Sequence, residues 1–114
     1  MRELLIQTLE ALGYPVYLQG SIASDAHYPA SFFTYWIFGA SDSGHYDGAP
    51  KFCDYGIWIY FYSSDRSLVD TIPFAAKAAL RNVGFVFAGQ PTDAASDEIA
   101  HTGVVLTARY KESL

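Results

Sequence analysis

Two stretches of this chain, SFFTYWIF at residues 31–38 and IWIYFY at residues 57–62, carry large apolar side chains at most positions. Aromatic and β-branched residues in this density favour extended strands. In residues 57–62, isoleucine and phenylalanine alternate with tryptophan and tyrosine, so both faces of the strand are apolar. One interpretation is that helices pack on one face while tyrosine hydroxyls on the other reach water. The alternative is that the second face contacts another subunit.

Two other segments have the apolar spacing of amphipathic helices. Leucines recur on one side of residues 2–12, and the following Gly-Tyr-Pro is a stop signal. Residues 65–83 have the same period and begin with the N-cap candidate Asp65. Because proline inside a helix is costly, Pro73 predicts an irregular first turn, with the regular helix beginning near Pro73.

The remaining pattern predicts an α+β domain. Strands are predicted at residues 16–19, 31–38, 51–62, 85–87 and 104–110, and irregular connections at residues 20–29, 40–50 and 89–100. We expect residues 39–50 to be the most mobile internal segment, because they are polar and rich in glycine. The order α-β-β-β-α-β-β indicates a mainly antiparallel sheet with two helices packed on it, in a single domain spanning residues 1–114.

Composition excludes several classes of function. The net charge is −5, and only seven residues are Lys or Arg, so a basic surface that grips a nucleic-acid backbone is not expected. The single Cys53 cannot form an internal disulfide, which indicates a reducing compartment, and no segment is apolar enough for a signal peptide or a membrane span. Aromatic residues make up 17% of the chain, more than one small core takes up, so some should contact partner subunits. The candidate interface residues are Phe32, Trp36, Trp58 and Tyr60.

Candidates for catalysis or metal binding are weak. The pattern Asp42-x-x-His45-x-Asp47 could suggest a metal site, but Asp and Ser in a glycine-bearing loop are what turns recruit for local hydrogen bonds. No Gly-x-Ser-x-Gly turn and no glycine-rich phosphate loop occurs. The chain is therefore expected not to be an enzyme and to use no cofactor or metal.

One cluster keeps an alternative open. A carboxylate of Asp97 or Glu98 could orient the imidazole of His101 for general-base work. A small enzyme or ligand-binding domain that uses these three residues beside the aromatic strand is thus the competing hypothesis. No nucleophile in a recognisable context accompanies it.

Three stretches together resemble a known family: YPASFFTYWIF at residues 28–38, IWIYFYSSDRSLVD at residues 57–70 and SDEIAHTGVVLTARY at residues 96–110. In order and spacing they are similar to the tail terminator, or tail completion, proteins of long-tailed non-contractile phages and prophages. The resemblance spans nearly the whole chain and includes no catalytic motif.

The resemblance implies a structural subunit that forms a ring, typically a hexamer, at the head-proximal end of the tail tube. Its partners would be further copies of itself, the tail tube protein and the head–tail connector, with DNA only passing through the ring and no membrane contact. It would be located in the virion after assembly in the host cytoplasm. A neck or head-closure protein of the same assembly is the nearest alternative.

Overall fold

The computed structural model describes residues 1–19, 29–43, 48–49, 51–87, 89–94 and 101–113. Within these ranges the chain forms two helices and six strands. The helices are α1 (Arg2–Glu10) and α2 (Arg66–Asn82), and the strands are β1 (Val16–Leu18), β2 (Ser31–Ser43), β3 (Phe52–Ser63), β4 (Val86–Phe87), β5 (Thr92–Ala94) and β6 (Thr102–Ser113). The predicted order is confirmed, with β5 as one short additional strand.

The six strands form one sheet in the spatial order β1-β2-β3-β6-β4, with β5 also paired to β6. Strand β1 runs parallel to β2, and every other pairing is antiparallel. This confirms the α+β class with a mainly antiparallel sheet. The doubly apolar strand β3 lies at the centre, between the long strands β2 and β6, where both of its edges are hydrogen-bonded.

Both helices pack on the same face of this sheet, because their buried residues join one core with alternate residues of β2, β3 and β6. Helix α1 contributes Leu5 and Leu9, and α2 contributes residues such as Ala76 and Leu80. The strand residues of this core are Phe33, Tyr35, Ile57, Ile59, Phe61, Val104, Leu106 and Ala108. Residues between these positions point away from the helices, and we call the surface they form the helix-free face.

Helix α2 begins at Arg66, so the prediction that regular helix starts near Pro73 was wrong. Asp65 is the N-cap, and its carboxylate accepts hydrogen bonds from the Ser67 amide at 3.0 Å and the Ser67 hydroxyl at 2.7 Å. Pro73 lies inside the helix and is buried against the core. Capping and the burial of the Pro73 ring therefore offset the hydrogen bond that proline removes, a cost of about 3 kcal/mol.

Loss of the cap should destabilise α2, which gives a first testable prediction. Asp65→Ala removes both acceptor oxygens and will lower the urea midpoint of unfolding, whereas Asp65→Asn keeps an acceptor and will lower it less. Hydrogen bonds from Ser67 hold the pKa of the Asp65 carboxyl below 3.8. A depressed folded-state pKa means that this stabilisation is present above pH 3.8 and is lost as the pH falls through the lower, folded value. Urea titrations at neutral and acidic pH check both points; equal midpoints for the two variants would contradict the capping role.

Two predicted connections contain strand. Residues 40–43 were expected to belong to a loop, but β2 continues through them and pairs with β3 from Phe52 to Tyr55. Residues 92–94 form β5, in a segment predicted to be irregular. In both cases pairing with a long neighbouring strand overrides the turn preference of Ser, Asp and Gly. In the rest of the first loop, residues 44–47 and 50 lie outside the described residues, and the mobility of residues 39–50 stays a prediction.

Candidate interface on the helix-free face of the sheet

Aromatic side chains from β2 and β3 meet on the helix-free face. Trp36 and Trp58 are direct cross-strand partners, and Thr34 lies opposite Tyr60. The next residue of β2 on this face is Phe38, whose ring lies 4.8 Å from that of Trp58, measured between centroids. Neighbouring side chains on one face of a sheet are in contact distance, so these residues form one continuous patch.

This patch is open to solvent. Trp36 is 46% exposed, and Trp58 and Phe38 are each 39% exposed. On the far side of β6, Val86 of β4 is paired with Arg109 and is 65% exposed. Of the seven large hydrophobic residues exposed in the described part of the chain, these four lie on the helix-free face. A contiguous exposed aromatic patch of this kind is a candidate protein-interaction surface.

The four predicted interface residues do not share one environment. Trp36 and Trp58 are in the exposed patch, and Tyr60 is half-buried beside them, its ring parallel to that of Tyr62 at 6.0 Å. Phe32 is only 5% exposed, because its ring stacks on Tyr62 at a centroid distance of 5.3 Å. Phe32 therefore supports the patch from one end and offers little surface of its own.

His101 lies at this same end of the face. Its ring meets the edge of Phe32 at 5.7 Å, and its Nε2 lies 2.8 Å from the carbonyl oxygen of Pro29. A carbonyl only accepts, so Nε2 is the donor and carries a proton. His101 thus links the start of β6 to the segment before β2. Asp97 and Glu98, the other members of the hypothetical catalytic cluster, lie outside the described residues.

Charged residues occupy the opposite end of the face. Lys111 lies 3.9 Å from the carboxylate of Asp54 and 5.1 Å from the centre of the Phe52 ring. Arg109, beside the aromatic patch, forms no salt bridge within the described residues. A shallow depression of about 390 Å³ opens here, and its lining includes Ser41, Asp54, Val86, Arg109 and Lys111. The face therefore changes along the strands from aromatic to charged.

Two glycines let rings lie flat on the sheet. A Cβ on Gly56 would come within 2.5 Å of the Phe38 ring, and one on Gly103 would come within 2.6 Å of the Tyr62 ring and 3.0 Å of the Ala94 carbonyl oxygen. Both glycines are on the helix-free face, opposite Arg109 and Tyr62 respectively. The absence of a side chain at each position thus makes room for an aromatic ring.

These contacts predict different costs for the two glycines. Gly103→Ala will destabilise the fold by about 1–3 kcal/mol, since the Tyr62 ring is buried and the Ala94 carbonyl is backbone. Gly56→Ala will cost less, because the exposed Phe38 ring can move away, but it will disturb the aromatic patch. Urea unfolding measures the difference in stability, and tryptophan fluorescence reports on the patch. A larger loss of stability for Gly56→Ala would contradict this description.

The described residues hold no group of three or more His, Cys, Asp or Glu side chains able to bind a metal ion together. Asp42 of the Asp-x-x-His-x-Asp pattern lies in β2. The other two residues of that pattern, His45 and Asp47, lie outside the described ranges.

The Tyr55 hydroxyl lies on the helix side of the sheet. A hydrogen bond with Cys53 raises its pKa above the usual 10.0, and the charge of Glu112 acts in the same direction. A raised pKa favours the protonated hydroxyl, which acts less readily as a base or nucleophile than the phenolate does.

Sequence reasoning missed Phe38, Val86 and Arg109 as members of this surface. The two-residue alternation that places Trp36 on the helix-free face also places Phe38 there, so that signal was present. Arg109 follows in the same way from the buried Ala108. Val86 carried no signal, because its position depends on the pairing of the two-residue strand β4 with β6.

No protein-family model and no curated protein matches this chain. Within the described ranges, neither helix has the length and apolar character needed to cross a bilayer.

Proposed function

We propose that this protein is a structural subunit that assembles through the helix-free face of its sheet, and that it serves as the ring-forming tail terminator of a long-tailed phage or prophage. In this role several copies of the subunit form a ring that closes the head-proximal end of the tail tube. In the proteins that it resembles, this ring is typically a hexamer. Its partners are other copies of itself, the tube protein and the head–tail connector. Its location is the tail–head junction of the virion.

The observation that carries this proposal is the exposed aromatic patch of Trp36, Phe38 and Trp58 on a face that no described element covers. Each of these rings buries a large area at little entropic cost when a partner covers it. In the isolated domain a large part of both tryptophan side chains stays in contact with water, and a partner that covers them would remove this apolar area from solvent.

The phage assignment rests on the sequence resemblance, with which the architecture is compatible. The resembling stretches fall on β2, on β3 with the start of α2, and on β6, in that order along the chain. A net charge of −5 suits a ring through which DNA slides without being held, since like charges repel. A neck or head-closure subunit would have the same kind of surface and differs in the structure that it binds.

Purified tail tubes provide the direct test. Tubes assembled from the major tail tube protein of the phage or prophage that carries this chain should be capped at one end when the protein is added, and capped tubes should stop growing. Negative-stain electron microscopy shows the cap, and the distribution of tube lengths shows the arrest. If the protein leaves tube ends and lengths unchanged but binds the purified connector, the neck alternative replaces the terminator. If it binds neither, the morphogenetic proposal fails.

A further inference from the structure

The chain carries a second exposed apolar surface, on the opposite side of the molecule from the aromatic patch. Phe74 of α2 is 53% exposed although it lies in the middle of a helix, and the adjacent helix positions Ala75 and Ala78 are exposed as well. One turn before it, Asp70 is exposed. Because α2 covers the core face of the sheet, this surface and the helix-free face point in opposite directions.

Charges beside the two surfaces are complementary. On the helix-free face Arg109 lies beside the aromatic patch, and on α2 Asp70 precedes Phe74 by four residues. Neither Arg109 nor Asp70 forms a salt bridge within the described residues. By contrast, Lys111, which like Arg109 lies on the helix-free face, forms a salt bridge with Asp54. Arg66 lies one helical turn before Asp70, and these two side chains also form no salt bridge with each other. Among the described residues, one cation and one carboxylate that form no salt bridge thus flank the two apolar surfaces.

The spacing within each surface is also similar. Residues four apart on a helix have Cβ atoms about 5–6 Å apart, which applies to Asp70 and Phe74. Trp58 faces Thr107 and Arg109 faces Gly56, so Trp58 and Arg109 are diagonal neighbours on one face of an antiparallel pair. Diagonal neighbours are about 7–8 Å apart between backbones and closer between side chains. The distance between the carboxylate and the ring on α2 is therefore similar to the distance between the guanidinium and the ring on the sheet.

We propose that the occupant of the aromatic patch is helix α2 of a second copy of this chain, with Phe74 against Trp36, Phe38 and Trp58 and with Asp70 against Arg109. This inference rests on the proposed function and specifies its subunit contact. Contacts between two different surfaces of identical chains repeat head to tail, and a repeat that closes gives a ring. Face-to-face packing of two aromatic patches would instead yield a closed dimer, would place Arg109 near its own copy and would leave Phe74 in water.

Crosslinking between engineered cysteines tests this contact even if free subunits associate weakly. In a Cys53→Ser background, Thr107→Cys is placed beside Trp58 and Ala78→Cys one turn after Phe74, so the aromatic rings and the charged side chains of the proposed contact are all kept. A short bifunctional maleimide should link the doubly substituted chain into a ladder of dimers, trimers and larger species. Each single-cysteine variant should stay monomeric on a denaturing gel. A control pair that combines Ala78→Cys with Leu18→Cys, which is exposed on the edge strand β1 and on the helix side of the sheet, sets the background of random collision.

Two results would overturn the proposal. A ladder no stronger than the control pair means that α2 does not occupy the patch. Dimers from Thr107→Cys alone mean that two helix-free faces meet each other.

Charge exchange tests the polar part of the same contact. In the crosslinking background, Arg109→Glu sets two carboxylates against each other and Asp70→Arg sets two cations against each other. Either change should lower ladder formation about tenfold, because like charges brought together across an interface are costly. The double variant should recover most of the yield, and so should a mixture of the two single variants, in which the subunits alternate. If the double variant and the mixture remain as poor as the single variants, the assigned pair is wrong.

The same variants separate this inference from the proposed function. If wild-type protein caps tail tubes but the 78–107 pair does not crosslink on capped tubes, the subunit contact is wrong and the terminator function stands. If the ladder forms and tubes are never capped, the contact stands and the terminator function fails.

Discussion

Replacing Phe33 by alanine will lower the free energy of unfolding by about 3–5 kcal/mol, the largest effect on stability that we expect from one substitution. Phe33 is fully buried. Its ring lies 4.9 Å from that of Phe61 and 6.2 Å from that of Tyr14, between centroids. Alanine would remove these contacts and leave a cavity between β2 and the helices that close-packed neighbours fill only in part.

Phe74→Ala is the matched control for this prediction, since it deletes the same side chain from an exposed position and should change the unfolding free energy by about 0.5 kcal/mol or less. Urea titration followed by circular dichroism measures both. Phe33→Leu keeps most of the volume and should cost about 1.5 kcal/mol or less, which keeps the comparison usable if Phe33→Ala does not fold. Equal losses for Phe33→Ala and Phe74→Ala would mean that the core has been placed incorrectly.

Substituting Trp36 or Trp58 by alanine will weaken assembly by about thirtyfold while the subunit stays folded. Burying one such ring at an interface contributes about 2 kcal/mol, which corresponds to that factor. Both rings are exposed in the monomer, so most of the loss should appear in assembly rather than in folding. The two residues are cross-strand partners, and the double variant should therefore lose less than the sum of the two single effects.

The measurement is the protein concentration needed to cap half of the tail tubes. Leu18→Ala removes an exposed apolar side chain of β1, outside the aromatic patch, and should cap tubes like the wild type. Circular dichroism and urea midpoints show that each variant is folded. If both tryptophan variants cap tubes at wild-type concentrations, these rings do not belong to the assembly surface, although the terminator function itself would be unaffected.

The sequence predicted the parts of the fold that follow from local periodicity. The two-residue alternation of Ile57, Ile59 and Phe61 predicted the central strand and its helix-facing side, and the leucine spacing predicted α1. The start of α2 was more difficult, because Pro73 is unfavourable locally and only burial of its ring and the Asp65 cap explain why the helix continues through it. Propensity describes one residue in its local segment, whereas the cost of Pro73 is offset by tertiary contacts.

The candidate site could be predicted only in part for a similar reason. An excess of aromatic residues indicated an interface and directed attention to Trp36 and Trp58, but composition does not say which rings stay exposed. Phe32 has the same side chain as Phe38 and the same parity, yet Tyr62 and His101 cover it while Phe38 remains open. Exposure depends on what packs above a residue, which no local pattern encodes.

The pairing of β3 with β6 affects how this protein reaches its folded state. Ser63 pairs with Thr102 and Phe52 with Ser113, residues that are far apart in the chain, and all of α2 lies between them. Strand β2, by contrast, pairs with the next strand along the chain, so this hairpin can form before β6 has left the ribosome. Closing the long loop costs chain entropy and is slow, so refolding should take milliseconds to seconds. Until then the hairpin has apolar side chains on both faces without cover, and a chaperone that shields such strands would raise the yield of native subunits.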